Sequence, residues 1–254
     1  MDKNLNKISV VIIVKNGAET IKSVLDSLIN FDDVVIYDNG SDDGTQDIVK
    51  QYKNANLITG SFLGFGPTKN KAATYSKYDW ILSLDADEVV STEMFTNLMN
   101  FDLSNKDIYE ISRFNYYKGK RINYCGWGEE RIVRLYNKQI TSFNDNMVHE
   151  KIITKNLNLK VIKGELQHYP YNSLTQFVQK ADHYSTLFAK DKVGIKKSSP
   201  LKAFLNATFS FIKTYIFKRG FLDGYIGLVI SVSHAMTNFF KYIKLYELNK
   251  ELKK

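Results

Sequence analysis

Hydrophobic positions in the first ninety residues fall into short runs divided by polar turns. Ile8 to Val14 is a β-branched run, which predicts a strand buried on both faces of a parallel sheet. Lys15-Asn16-Gly17 breaks it. From Glu19 to Leu28 the apolar residues Ile21, Val24, Leu25 and Leu28 follow the 3, 4, 7 spacing of an amphipathic helix. Val34 to Tyr37 reads as a second strand, Gln46 to Tyr52 as a helix, and Asn56 to Thr59 as a short strand. Thr68 to Ser76 reads as a helix behind the Gly64-Phe65-Gly66-Pro67 loop. Strands alternating with helices over short polar connections predict a parallel sheet covered by helices. From Ile108 to Lys163 the texture changes: residues 109–114 and 131–136 alternate as half-buried strands do. Beyond Ser173 the chain reads as helical, with a break around Lys196 to Pro200.

Two of the predicted strands end on acids. Trp80 to Leu84 is an apolar run that stops at Asp85-Ala86-Asp87-Glu88, and Val34 to Tyr37 stops at Asp38. Open α/β sheets bind ligands beyond the C-terminal ends of their strands, so both acids are expected at one crevice. Adjacent carboxylates repel and call for a cation; hard oxygen ligands suit Mg²⁺ or Mn²⁺, with phosphate oxygens and water completing the shell. An acidic strand-to-loop turn is the plainer alternative. Ser41, Asp42 and Thr45 have capping chemistry, whereas Asp38 comes too early to cap and is expected to accept from a base or ribose.

Composition narrows the classes. The 254 residues allow one large domain or a domain with an appendage. The only cysteine, Cys125, cannot form an internal disulfide, and no zinc-type cluster accompanies it. No run approaches the roughly 18 apolar residues of a membrane span, and the N-terminus lacks the pattern of a signal peptide. A cytoplasmic protein is expected. Net charge is +8, and residues 190–254 alone carry 13 Lys/Arg against 4 Asp/Glu. This basic, aromatic tail (Phe204, Phe209, Phe217, Phe221, Tyr242) suits an anionic membrane surface; nucleic acid is not expected as a partner, since no recognition motif accompanies the charge.

The motifs together resemble family 2 of the inverting glycosyltransferases. They are Val14-Lys15-Asn16, Asp38-Asn39-Gly40-Ser41-Asp42-Asp43-Gly44-Thr45 and Asp85-Ala86-Asp87. Leu63 to Asn70, Trp80 to Glu88, Gly126-Trp127 through Arg134-Leu135, Val148-His149-Glu150 and Lys218 to Gly224 are similar to the lipopolysaccharide or lipooligosaccharide core β-1,4-glucosyltransferase branch. The resemblance implies an α/β GT-A fold: a Rossmann-like, mostly parallel central sheet flanked by helices, with a helical basic and aromatic C-terminal extension. The domains expected are a catalytic domain over 1–172 (nucleotide half 1–100, acceptor half 101–172) and a membrane-associating helical region over 173–254.

The resemblance also implies roles. Val14, Asn16, Asp38, Lys69 and Asp85 would hold a nucleotide-sugar, a UDP-sugar and most readily UDP-glucose. Asp87, with Asp85 and His149, would bind Mg²⁺ or Mn²⁺, with His168 competing for the place of His149. An inverting transfer needs one carboxylate as general base. Glu130 matches the branch's acid, while Glu129 stands where that branch has a proline; Glu130 is preferred and Glu129 stays open. Trp127 would stack on the acceptor sugar. Arg134 would meet the acceptor; with Arg131 it could clamp phosphate or make surface ion pairs. The acceptor would be a lipid-linked or lipopolysaccharide-core saccharide, met on the inner face of the bacterial cytoplasmic membrane. The alternatives are a heptose or galactose donor, a capsule or protein acceptor, or a binding module without turnover. A nucleotidyltransferase lacks support, because no basic glycine-rich loop follows the first strand.

Overall fold

A computed structural model describes Asn4, residues 7–147 and residues 150–252. The chain forms two compact units: Met1–Phe114 with Glu129–Tyr169, and Asn115–Gly128 with Pro170–Lys254.

The first unit opens with β1 (Ile8–Val14), α1 (Ile21–Ser27), β2 (Val34–Asp38), α2 (Thr45–Val49), β3 (Ala55–Thr59), α3 (Phe65–Ala73) and β4 (Trp80–Asp85). All four strands run parallel in the order β3-β2-β1-β4. The unbroken apolar run of β1 follows from its two covered faces. Val10, Ile12 and Val14 join the core under α1, while Val11 and Ile13 face the opposite cluster with Ala72 and Ala73 of α3. Burying each such side chain contributes about 1.5–3 kcal/mol.

Beyond β4 come β5 (Glu88–Val90), α4 (Thr92–Asn100), β6 (Asp107–Tyr117), β7 (Lys120–Arg121), β8 (Glu130–Asn137) and β9 (Asn158–His168). Here the sheet turns antiparallel: β8 pairs with β4 and β6, β5 with β9, and β7 extends β6 as a hairpin. A mostly parallel sheet was expected; the sheet is mixed, parallel only across its first four strands. Strand β9 has the least apolar sequence of the long strands, because most of its outward residues are exposed. Its passage over α4 depends on Gly164, which has φ +100°; a Cβ there would sit 2.4 Å from the Met94 backbone.

The second unit contains α5 (Leu174–Lys192), α6 (Pro200–Ile212) and α7 (Tyr225–Glu251). Ser173 and Ser199 cap α5 and α6, each hydroxyl accepting the N–H three residues on, and Pro200 starts α6 where a missing N–H costs nothing. One π turn (Lys213–Phe217) and one 3-10 turn (Gly220–Asp223) join α6 to α7. Segment 115–128 belongs to this unit: Asp223 accepts the N–H groups of Asn123 (3.1 Å) and Tyr124 (2.8 Å), and Lys218 O accepts that of Cys125 (3.0 Å). A Cβ on Gly227 would lie 1.8 Å from Gly220 O, so glycine there lets the helix and turn touch. Burial, together with the charge of Asp223, pushes the Cys125 thiol up to about 11, leaving it inert.

Gly164→Ala combines left-handed strain with a backbone clash. We expect it to cost at least about 2 kcal/mol, read as a lowered urea midpoint with an unchanged slope.

Candidate active site

The loops that follow β1 and β2 are laced together. Asn16, at φ +55°, donates its N–H to Ser41 Oγ at 2.8 Å, and its side-chain oxygen accepts the Asp42 N–H at 3.0 Å. Thr45 Oγ1 accepts the Gly17 N–H, Asp43 accepts that of Ala18, and Val14 O accepts that of Asn39. Asp38 is fully buried. Its carboxylate accepts the Ser41 N–H (3.0 Å), the Ser41 hydroxyl (2.6 Å) and the Gln46 amide. It therefore has local partners that its place at the strand end did not suggest: the turn folds back onto it. Two of the three are side-chain donors, which can exchange for those of a ligand.

At the end of β4 the charges form a continuous chain. Lys69 of α3, 3% exposed, donates to Asp85 (2.9 Å) and to Glu150 (2.8 Å). Arg134 of β8 reaches both Asp85 and Glu88 at 2.5 Å. Arg113 of β6 contacts Glu88 at 2.9 Å and Glu130 at 2.5 Å. The register explains the last pair, since Arg113 and Glu130 are direct cross-strand neighbours. Glu88 is wholly buried and its second oxygen accepts the Asp85 N–H, so it folds the strand end back on itself. Burial would push the Asp85 carboxyl up, but the Arg134 guanidinium and the Lys69 ammonium overcome it and hold it well below the usual carboxylate range. Arg134 is correspondingly more firmly protonated; burial opposes its charge, and Asp85 and Glu88 more than compensate.

Asp87 stands apart from this chain. Its partner is His168 at the end of β9, Nε2 to Oδ2 3.3 Å, brought there by the Glu88–His168 register of β5 and β9. His149 lies outside the described residues. Among the described residues, counting Asp87 and with His168 neutral, five carboxylates face the three cations Lys69, Arg113 and Arg134. Two negative charges remain, the amount a divalent cation would neutralise. Among the described residues no three His, Cys, Asp or Glu are gathered to hold a metal by themselves. With Asp85 drawn to Lys69 and Arg134, the donor set fits a cation held by Asp87 and His168 and completed by diphosphate and water.

The other expected residues are placed as follows. Glu129 accepts the Ser112 hydroxyl at 2.7 Å and lies 3.5 Å from Arg131 Nε; Glu129 and Glu130 are both about half exposed. Arg131 pairs with Glu110 and Glu129 at the surface. Arg134 is 6% exposed, with its guanidinium on two acids, Asp85 and Glu88. Trp127 belongs to the helical unit, half-buried in a stack with Tyr171 (5.5 Å) and Phe177 (6.2 Å). Glu88, Arg113 and Glu150 were not singled out by sequence. Glu88 stood in the acidic stretch and Glu150 beside His149, but Arg113 gave no signal beyond strand alternation.

Residues 9–150 match the model of glycosyl transferase family 2. An uncharacterized glycosyltransferase of Rickettsia prowazekii is 32% identical over 96% of this chain and 88% of its own length. A lipopolysaccharide core biosynthesis glycosyltransferase of Rhizobium meliloti, LpsC, is 23% identical over 94% of this chain and 92% of its own. Among solved structures, Staphylococcus aureus TarS in complex with UDP-GlcNAc aligns over 97% of this chain and 91% of that one, at 14% identity and a TM-score of 0.48.

Replacing Arg134 with Leu leaves Glu88 with one cationic partner and should cost about 3 kcal/mol. Asp85 stays ionised in the fold below its unfolded value of about 3.9, so its contribution is present above that pH and lost progressively as pH falls from there toward the depressed folded value. Wild type should therefore lose more stability than Arg134→Leu on acidification below about pH 4, measured by urea unfolding across pH.

Proposed function

Because this chain belongs to glycosyl transferase family 2 and has the GT-A fold, we propose that it is an inverting, metal-dependent transferase. It moves a hexose, glucose from UDP-glucose in the first instance, onto a lipid-linked or lipopolysaccharide-core saccharide. The observation that carries the reading is the unbalanced pair of negative charges at the mouth of the parallel strands, where Asp87 and His168 meet. The likeness to LpsC supports the core-saccharide acceptor.

In this reading Asp38, Asn16 and the Val14 backbone receive the nucleoside, while Lys69, held between Asp85 and Glu150, supplies positive charge near the donor's diphosphate. Asp87 and His168 hold Mg²⁺ or Mn²⁺, which when bound supplies charge stabilisation to the departing diphosphate. Glu130 takes the proton of the acceptor hydroxyl, its carboxylate aimed by Arg113, with Glu129 as the competing base. The acceptor oxygen bonds to the anomeric carbon on the face opposite the diphosphate. The bond from that carbon to the diphosphate oxygen breaks, and its electron pair leaves with UDP.

The helical unit is the part that meets the membrane. No helix among the described residues is long and apolar enough to cross a bilayer. Yet α6 and the turns after it expose Leu201 (67%), Phe204 (60%), Phe209 (61%) and Phe217 (72%). No acid occurs between Asp191 and Asp223, while Lys202, Lys213, Lys218 and Arg219 do. Exposed rings beside cations suit the headgroup layer of an anionic leaflet.

Purified protein should release UDP from one member of a UDP-sugar panel, with Mn²⁺ or Mg²⁺ required. Asp87→Asn should lower the rate at least about a hundredfold, and an α-linked donor should give a β-linked product by NMR. Metal-independent release at full rate by Asp87→Asn would sink the reading. Vesicles containing phosphatidylglycerol should co-sediment with the protein, and pure phosphatidylcholine vesicles should not. Phe204→Ser/Phe209→Ser/Phe217→Ser should cut binding at least about tenfold.

A further inference from the structure

The helical unit holds a cavity that the transfer reaction above does not use. It measures about 530 Å³ and lies along α5 and α7, with Tyr171 at one wall. That volume is in the range of pockets for small organic ligands. Its lining is mixed in a particular way. Rings come from Tyr171, Tyr184 and Phe188, and hydrogen-bonding groups from His234 and Asn238 among others. Two lysines, Lys180 and Lys241, line it as well, and no Asp or Glu does.

Both lysines are half-buried at the cavity wall, so the cavity is not built only to bury apolar surface. The two lysines differ in what holds them. Lys180 donates to Pro170 O at 2.7 Å and rests 4.3 Å above the Tyr171 ring. Lys241 makes no ion pair among the described residues; its ring contact is Phe188, 5.4 Å from Nζ. On α7 the nearest acid is Glu247, nearly two turns on, and on the facing helix α5 Asp182 is paired with Lys244 at 2.7 Å. No carboxylate stands beside Lys241 in the cavity lining. Flat rings suit the C–H faces of a pyranose, amide and hydroxyl groups suit its hydroxyls, and ammonium groups suit an anionic substituent.

We propose that this cavity binds an anionic saccharide, a pyranose carrying a phosphate or a carboxylate, as part of recognising the acceptor. The assignment to an acceptor rests on the transferase reading; the binding itself does not. Tyr171 and His234 line the cavity and also contact Trp127, at 5.5 and 5.9 Å between ring centroids. A ligand seated there changes the surroundings of one of only two tryptophans in the chain.

The test is titration of the full chain with glucose 6-phosphate, glucuronate, glucose and inorganic phosphate, followed by tryptophan fluorescence and by calorimetry. At least one anionic sugar should bind saturably below about 10 mM, and the tighter of the two names the anion. Glucose and inorganic phosphate should each bind at least about tenfold more weakly. Lys241→Gln should weaken the anionic sugar about tenfold, as should Asn238→Ala to a smaller degree, with thermal unfolding and acceptor-free UDP release unchanged. Equal binding by Lys241→Gln and wild type would overturn the proposal. So would glucose or inorganic phosphate binding as tightly as the anionic sugars, or no saturation by either anionic sugar. Loss of UDP release in wild type would instead overturn the transferase reading, and the saccharide titration would stand independently of it.

Discussion

Arg134 holds the candidate site together. It is buried with its guanidinium against Asp85 and Glu88, and those acids in turn fix Lys69 and Arg113. Acids at a strand end repel one another, and without an interior cation the segment from Asp85 to Glu88 would have no reason to fold back tightly. Buried ion pairs are weak sources of stability, because desolvation offsets much of the attraction. What this one supplies is position: it takes Asp85 out of competition and leaves Asp87 facing His168.

Much of this was legible in the chain. The β-branched run of β1 and the spacing of Ile21, Val24, Leu25 and Leu28 dictate a strand and a helix whatever the ligand, because their periodicities match what a covered parallel sheet must bury. Asp85 and Asp87 were visible because an apolar run stops at paired acids where open α/β sheets place their ligands. The rest was hidden for physical reasons. Strand β9 reads as polar because five of its first six residues are exposed, so periodicity could not find it. Arg113 is an ordinary strand residue until the β6–β8 register sets it opposite Glu130. The pairing of Arg134 with Asp85 and Glu88 was hidden too, since sequence does not distinguish a guanidinium facing solvent from one facing buried acids. Asp38 looked too early to cap because helix geometry was the frame; the turn after β2 reaches it instead.

The helical unit follows a different logic. Its interior is small and aromatic, built on Tyr117, Phe177, Ile226 and Ile230, with segment 115–128 tied in by Asp223. The motif from Lys218 to Gly224 is explained by packing: Gly220 and Gly227 let backbone approach backbone, and Asp223 occupies the two N–H groups of a loop carrying Trp127's neighbours. Residues that resemble a family signature can thus serve the scaffold of a site.

The acid-free stretch from Lys192 to Leu222 also determines how the unit answers its surroundings. It contains no histidine either, so every charge on it belongs to lysine or arginine, groups that stay protonated through the whole physiological range. Whatever anionic surface it meets, the charge it would bring is consequently a fixed quantity that acidification cannot switch. Ionic strength and the lipid's own charge density are the variables left to tune it.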